Sequence, residues 1–300
     1  MRFELSTDQR DFASSLESLL SSSDTVAIAR AWADGDHEPG LKLWARLAEQ
    51  GVTMLATEAT PVEVCIAFEA LGRHAVPGPW VESAAVLPFA LGREMSETIA
   101  SLAVPPHVPY ALDADVASEV YVVRDDVLHT AIIGERVGSV DRTRHLFNVM
   151  PGDPVAAVEL RGGLGLGVLA TAAQLLGAGE RLLADSVAYV KQRRQFGREI
   201  GSYQAIKHTL ADVRIALDFA RPLLYAGALT TERAYVSAAK VACSDAAYLA
   251  ARSALQVHGA IGYTAELDLS LWLTKVRALR NAWGSPSFHR GAVLQALDAG

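Results

Sequence analysis

Residues Arg193 to His208 read RRQFGREIGSYQAIKH. Arginines, a phenylalanine and two glycines interrupt what are otherwise long apolar repeats on either side. Downstream, Ile206, Leu210, Val213, Leu217, Ala220 and Leu224 recur every three or four residues, with Lys207, Arg214, Asp218 and Arg221 on the opposite side, the spacing of an amphipathic helix. Upstream, Gly162 to Gly179 (GGLGLGVLATAAQLLGAG) carries no charge and comes close to membrane-spanning length. It is rich in Gly and Ala, contains Gln174 and lacks flanking Trp or Tyr, so it reads as a buried bundle helix and not as a span. A further helix is predicted from Arg233 to about Val257, where Ala238, Ala239, Ala242, Ala246, Ala247, Ala250 and Ala254 allow neighbours to approach closely. Residues 161–300 therefore form a helical bundle in this reading.

Earlier in the chain the pattern is also helical from Ser6 to about Ile99. Leu16, Leu19 and Leu20 stripe one segment, LWARLAEQG closes another on a glycine, and Pro77, Pro79 and Pro88 are expected to break the run. Between about Ala100 and Leu160 the helical period gives way to SEVYVVRD, VLHTAIIG and PVAAVEL, short β-branched stretches bounded by Gly, Pro and Asp. The expectation is a mainly α chain with a small β region: an N-terminal helical domain over 1–99, a reduced middle β domain over 100–160 and a C-terminal four-helix bundle over 161–300.

With 300 residues, 51% hydrophobic and 20% charged, the chain has ample material for a core. A net charge of -7 leaves no broad basic field for nucleic acid. Cys65 and Cys243 stand alone, without the spacing of a disulfide framework or a metal site, and the N-terminus lacks the uninterrupted apolar stretch of a signal peptide. These features point to the cytoplasm, with no membrane, nucleic acid or metal partner. The glycines at 162, 163, 165 and 167 miss the last position of a dinucleotide fingerprint, which is Val168, and no second strand follows. His258 reads as a packed turn residue, since no second ligand lies at suitable spacing.

Arg193-Arg194-Gln195-Phe196-Gly197, with Ile200 and Tyr203-Gln204-Ala205-Ile206-Lys207-His208, resembles the first signature of the acyl-CoA dehydrogenase family. Gln256 to Glu266 (QVHGAIGYTAE) resembles the second, and ALGRHAVPGPW is typical of the N-terminal domain. The resemblance implies FAD, with these signatures holding its pyrophosphate and adenosine end while the ring lies largely in a neighbouring subunit. It implies that Arg193 pairs with a phosphate oxygen, Phe196 packs on the dinucleotide, Gln204 and Gln256 hydrogen-bond it, and Gly259 lets the backbone approach. A planar guanidinium and a residue without Cβ suit those tasks.

The family's reaction is α,β-desaturation of an acyl thioester, in which a carboxylate removes the α-proton. In much of the family that base is the Glu of a Tyr-Glu-Gly-Thr turn; here Ala282-Trp283-Gly284-Ser285 stands in its place. A second location used in the family, on the helix before the first signature, holds no carboxylate between Gly162 and Gly179, with Glu159 and Glu180 just outside. No catalytic residue is therefore assigned. The chain resembles the shorter subunit of actinobacterial heterotetrameric (α2β2) dehydrogenases acting on CoA thioesters of steroid side chains or ring fragments. The expectation is a subunit that shares FAD with a second acyl-CoA dehydrogenase-like chain, which carries the base and most of the acyl-CoA contacts. Two other readings stay open: a self-sufficient homo-oligomeric enzyme with its base at Glu159 or Glu180, and an FAD-free assembly protein of the same fold.

Overall fold

The charge-free run from Gly162 lies inside a single helix, α7 (Arg161–Gln192), in a computed structural model that describes residues 3–95, 98–157 and 161–298. Leu169, Ala170, Ala172, Ala173, Leu175, Leu176, Ala178 and Leu182 are all fully enclosed, each leucine contributing about 1.5–3 kcal/mol by burial. Over the apolar window of α7, 78% of the residues are buried inside the protein. Its apolarity is thus that of a central core helix.

Among the described residues, six α-helices precede the sheet: α1 (Thr7–Ser21), α2 (Thr25–Ala33), α3 (Glu38–Glu49), α4 (Leu55–Glu58), α5 (Pro61–Arg73) and α6 (Leu87–Leu91). Sequence chemistry sets their starts. Ser6 and Gln9 form a capping box on α1, and Thr60 and Glu63 do the same on α5, where Pro61 occupies the first turn. Pro88 does not break the chain as expected. A π-helical segment (Val81–Val86) runs directly into α6, so the helix passes through Pro88, with i→i−5 bonding (Leu87 N–H to Glu82 O) immediately before it.

The β region is more extensive than its sequence pattern: β1 (Ala100–Ala103), β2 (Ala111–Leu112), β3 (Glu119–Arg124), β4 (Val127–Val137) and β5 (Leu146–Ala157) form one sheet in the order β1-β3-β4-β5-β2. β1 pairs with β3 in parallel and the other pairs are antiparallel. Of the expected strand PVAAVEL, residues 154–157 end β5 and the remainder lies outside the described residues.

After α7 come a two-residue pair, β6 (Arg194–Gln195) and β7 (Arg198–Glu199), then α8 (Gln204–Thr230), α9 (Arg233–His258), α10 (Leu269–Leu279) and α11 (Pro286–Asp298). α7, α8 and α9 run alternately up and down. The last turn of α9 returns to the last turn of α7, where His258 stacks on Tyr189 with ring centroids 4.2 Å apart. Small residues set the spacing. Gly179 faces Ala247 across α7 and α9, and the α5–α7 crossing has no side chain between its backbones at two places. A methyl on Gly177 would overlap the Glu69 carbonyl, and one on Gly72 would overlap the backbone of Gln174.

Gly177→Ala should therefore destabilise the chain by about 3 kcal/mol or more. Gly165→Ala, on the same helix with open space around it, should be neutral or stabilising by up to about 1 kcal/mol. Chemical denaturation of the two variants side by side measures the difference.

Candidate functional site

Antiparallel packing brings the C-termini of α7 and α9 and the N-terminus of α8 to one end of the bundle, and the residues singled out in the sequence gather there. The Arg193 amide donates to Tyr189 O at 2.9 Å and its carbonyl accepts from the Ile200 amide at 2.8 Å, so the backbone that carries its guanidinium is held from both sides. Arg198 lies 3.9 Å over the Tyr203 ring, while Arg193 has no acidic partner within 4.0 Å among the described residues.

Phe196 and Gly197 form the two-residue turn between β6 and β7, with φ of +52° and +80°. A turn with both central residues left-handed suits Asn-Gly; a bulky side chain there carries strain of the order of 1 kcal/mol. Phe196 is also 91% exposed and takes no part in the core. It projects from the hairpin tip as a rigid apolar knob. Gln204, the first residue of α8, and Gln256, in the last turn of α9, are both exposed. Gly259 follows α9 with φ +64° and ψ -140°, a conformation that favours glycine, and has open space where a Cβ would stand. Beyond it Tyr263 is 77% exposed. His258 is a packed residue, as expected, with Nδ1 2.8 Å from Ala254 O.

A cationic donor without an acidic partner among the described residues, amides, an aromatic knob and an approachable backbone suit a ligand that is anionic in its middle and planar at its end. The donor set fits the pyrophosphate and adenine of a dinucleotide.

The turn that carries Trp283 is tightly fixed. Trp283 has φ +58°, Gly284 follows at +100°, and His289 Nε2 donates to Trp283 O at 2.9 Å while Nδ1 lies 3.1 Å from Ser237 Oγ. Because a carbonyl only accepts, Nε2 carries the proton and Nδ1 accepts from the serine. Burial pushes the His289 pKa down to about 4. The indole is buried against Gly167 of α7 and packs beside Val86 of the π-helical segment.

One residue escaped the sequence reading here. Glu82, on the π-helical segment, is completely buried and its Oε2 has no hydrogen-bond partner. Burial raises its pKa, with Arg144 and the Trp283 side chain pulling the other way. The only signal in the sequence was a lone acid in an apolar run.

Glu180 is not poised as a base. Arg214 grips it through both guanidinium Nη atoms at 2.6 and 2.7 Å, Arg221 adds a contact at 3.0 Å, and Arg221 also holds Glu69 at 2.7 Å. Burial raises the Glu180 pKa, but these donors outweigh it and hold the group below the ordinary carboxylate value. Arg214 and Arg221, expected on the outer side of α8, thus reach back to join α5, α7 and α8. Glu159 lies outside the described residues. An apolar cleft of about 290 Å³ between α4, α5, α7 and α9 is lined by Leu55, Pro61, Phe89 and Leu169 among others, and none of its lining residues is titratable.

Residues 158–297 match the family described as acyl-CoA dehydrogenase, C-terminal domain. The chain is 28% identical over 288 residues to the acyl-CoA dehydrogenase IpdE2 of Mycobacterium tuberculosis, covering 90% of this chain and 91% of that one. Among solved structures, the ChsE4–ChsE5 complex of Mycobacterium tuberculosis superposes with a TM-score of 0.84 at 17% identity, covering 100% of both chains. A steroid acyl-CoA dehydrogenase variant, Tcur3481–Tcur3483, gives 0.84 at 18% identity over 98% of both chains.

Because the folded Glu180 pKa is depressed, its contribution to stability is present above the unfolded value of about 4.3 and is lost as the pH falls through the lower folded value. Glu180→Gln should cost about 2 kcal/mol at pH 7, discounted for the partly exposed Arg214. The difference from the parent chain should shrink as the pH drops below about 4. Urea unfolding across that range gives both values.

Proposed function

We propose that this chain, which belongs to the acyl-CoA dehydrogenase family, is the subunit of a heteromeric acyl-CoA dehydrogenase that completes an FAD site without supplying the base. The observation that carries this reading is Trp283. The position where the family places its carboxylate holds an indole, its backbone locked by His289 and its ring packed against Gly167 of α7 alongside Val86, and an indole cannot accept a proton from carbon. The signature residues at the end of the bundle face outward instead of lining a cavity of their own.

FAD, when bound, supplies the acceptor for the hydride that leaves the β-carbon of the acyl thioester. In this chain, Arg193 would hold a pyrophosphate oxygen, Phe196 and the open backbone at Gly259 would pack on the nucleotide, and Gln204 and Gln256 would donate or accept along its length. The base, and most contacts to the acyl-CoA, belong to the second chain. A partner is further supported by Ile215, Phe219 and Leu223, which make an exposed apolar stripe along the outer side of α8. The α2β2 arrangement, steroid-derived acyl groups and a cytoplasmic setting follow by analogy with the heteromeric steroid-type enzymes of this fold.

One observation favours a second reading, a self-sufficient enzyme whose base is Glu82, because that carboxyl is buried with one oxygen free. Glu82→Gln separates the two. The subunit reading expects turnover of the purified complex to stay within about twofold, with stability equal or higher because an unpartnered buried carboxylate is removed. Loss of turnover by about a hundredfold or more, at unchanged flavin content, makes Glu82 the base.

For the assignment itself, Arg193→Ala should weaken flavin retention in the complex by about 1–3 kcal/mol. Phe196→Asn should weaken retention too, while keeping or raising stability because Asn suits the left-handed turn. Flavin dissociation followed by fluorescence, beside a thermal melt, checks both. Unchanged retention in both variants removes these residues from the site.

A further inference from the structure

Apart from the signature residues at the bundle end, three side chains widely separated in sequence converge. His37 precedes α3, Asp115 lies just after β2, and His145 sits immediately before β5. His145 Nδ1 is 3.0 Å from Asp115 Oδ2 and 3.3 Å from His37 Nε2, and the third side of the triangle, His37 Nε2 to Asp115 Oδ2, is 3.8 Å.

Protons alone serve this triangle poorly. If Nδ1 of His145 carries hydrogen and donates to Asp115, it has nothing further to offer His37. If His37 donates instead, the lone pair of Nδ1 faces the carboxylate at 3.0 Å. A cation satisfies all three atoms together. The point equidistant from three atoms separated by 3.0, 3.3 and 3.8 Å lies about 2.0 Å from each, the bond length of zinc to imidazole nitrogen or carboxylate oxygen.

The geometry points to a binding site for a divalent first-row transition-metal ion at His37, Asp115 and His145. Two imidazoles and a carboxylate select zinc-like ions over calcium or magnesium, which prefer all-oxygen shells. The two imidazoles are positioned by their surroundings. The buried Trp32 ring meets His37 edge-on with centroids 4.6 Å apart, and its indole N–H donates to Asp113 Oδ1 at 3.3 Å. Asp113 Oδ1 also accepts from the His145 amide at 3.0 Å. His145 is fully buried, while Asp115 is exposed and leaves a path for the ion and a coordination position for water. The bound ion would tie the turn before α3 to the sheet, joining helical and β layers through side chains the flavin site does not use. His145 Nε2 is buried without a partner, so the outer-shell hydrogen bond that tightens resident zinc sites is missing, and affinity in the micromolar range is expected.

The test is titration of the full chain, in its complex where one co-purifies, after chelator treatment and removal of any affinity tag. Zn²⁺ is followed by calorimetry and melting temperature, and Co²⁺ by its visible absorption. The expected result is saturable 1:1 binding of both ions, a raised melting temperature, no response to Mg²⁺ or Ca²⁺, and affinity weakened at least about tenfold in Asp115→Asn and in His37→Gln. Both substitutions lie on turns outside the core, so folding is retained even if His145→Ala fails to fold. Absence of saturable Zn²⁺ binding, or equal binding by parent and both variants, overturns the proposal.

Discussion

The arrangement depends on the contact between α5 and α7, where Gly72 and Gly177 allow two helix backbones to touch without intervening side chains. Next to that crossing, Glu69 of α5, Glu180 of α7 and Arg214 and Arg221 of α8 form one ionic cluster. Its groups are partly withdrawn from water, so removing any one leaves the others uncompensated. The crossing fixes the N-terminal helices on α7, and α7 in turn fixes both ends of the molecule's chemistry: Gly167 against Trp283 and Tyr189 against His258.

From that frame the two ends of α7 acquire different characters. Near its N-terminal end a bulky indole packs against Gly167 alongside Val86, and a buried acid, Glu82, lies on the same π-helical segment as Val86. At its C-terminal end a strained hairpin exposes Phe196 and leaves Arg193 without an acidic partner among the described residues. A left-handed phenylalanine in water is locally unfavourable twice over, in backbone strain and in exposed apolar area. Both costs are recovered if the side chain is covered by a ligand or partner. The same account fits the apolar stripe of Ile215, Phe219 and Leu223 on α8.

Much of this was legible in the sequence. The three-and-four spacing from Ile206 to Leu224 gives α8, since Leu210, Val213, Leu217, Ala220 and Leu224 are all buried, and the alanines of α9 mark a close-packed helix. The positions around Arg193, Gln204, Gln256 and Gly259 gather at one end because short connections force antiparallel neighbours. Other features were not legible. Pro88 looks like a breaker in sequence because its tolerance depends on the switch to π-helical bonding just before it, which has no sequence signature. Arg214 and Arg221 looked solvated because their acidic partners are on other helices. The first half of β5 lacks β-branched alternation and is held by pairing with β4 and β2. His37, Asp115 and His145 have no diagnostic spacing, because tertiary folding alone brings them together.

The central claim is that this chain holds the nucleotide half of a flavin whose reactive ring rests in another protein. A structure of the chain bound to its partner and FAD tests it most directly. The account predicts the pyrophosphate within hydrogen-bonding distance of Arg193, Phe196 against the dinucleotide, and the isoalloxazine ring among residues of the second chain. A flavin ring seated in this chain beside Glu82 and Trp283, or a complex in which Arg193 and Phe196 touch no cofactor, would contradict it.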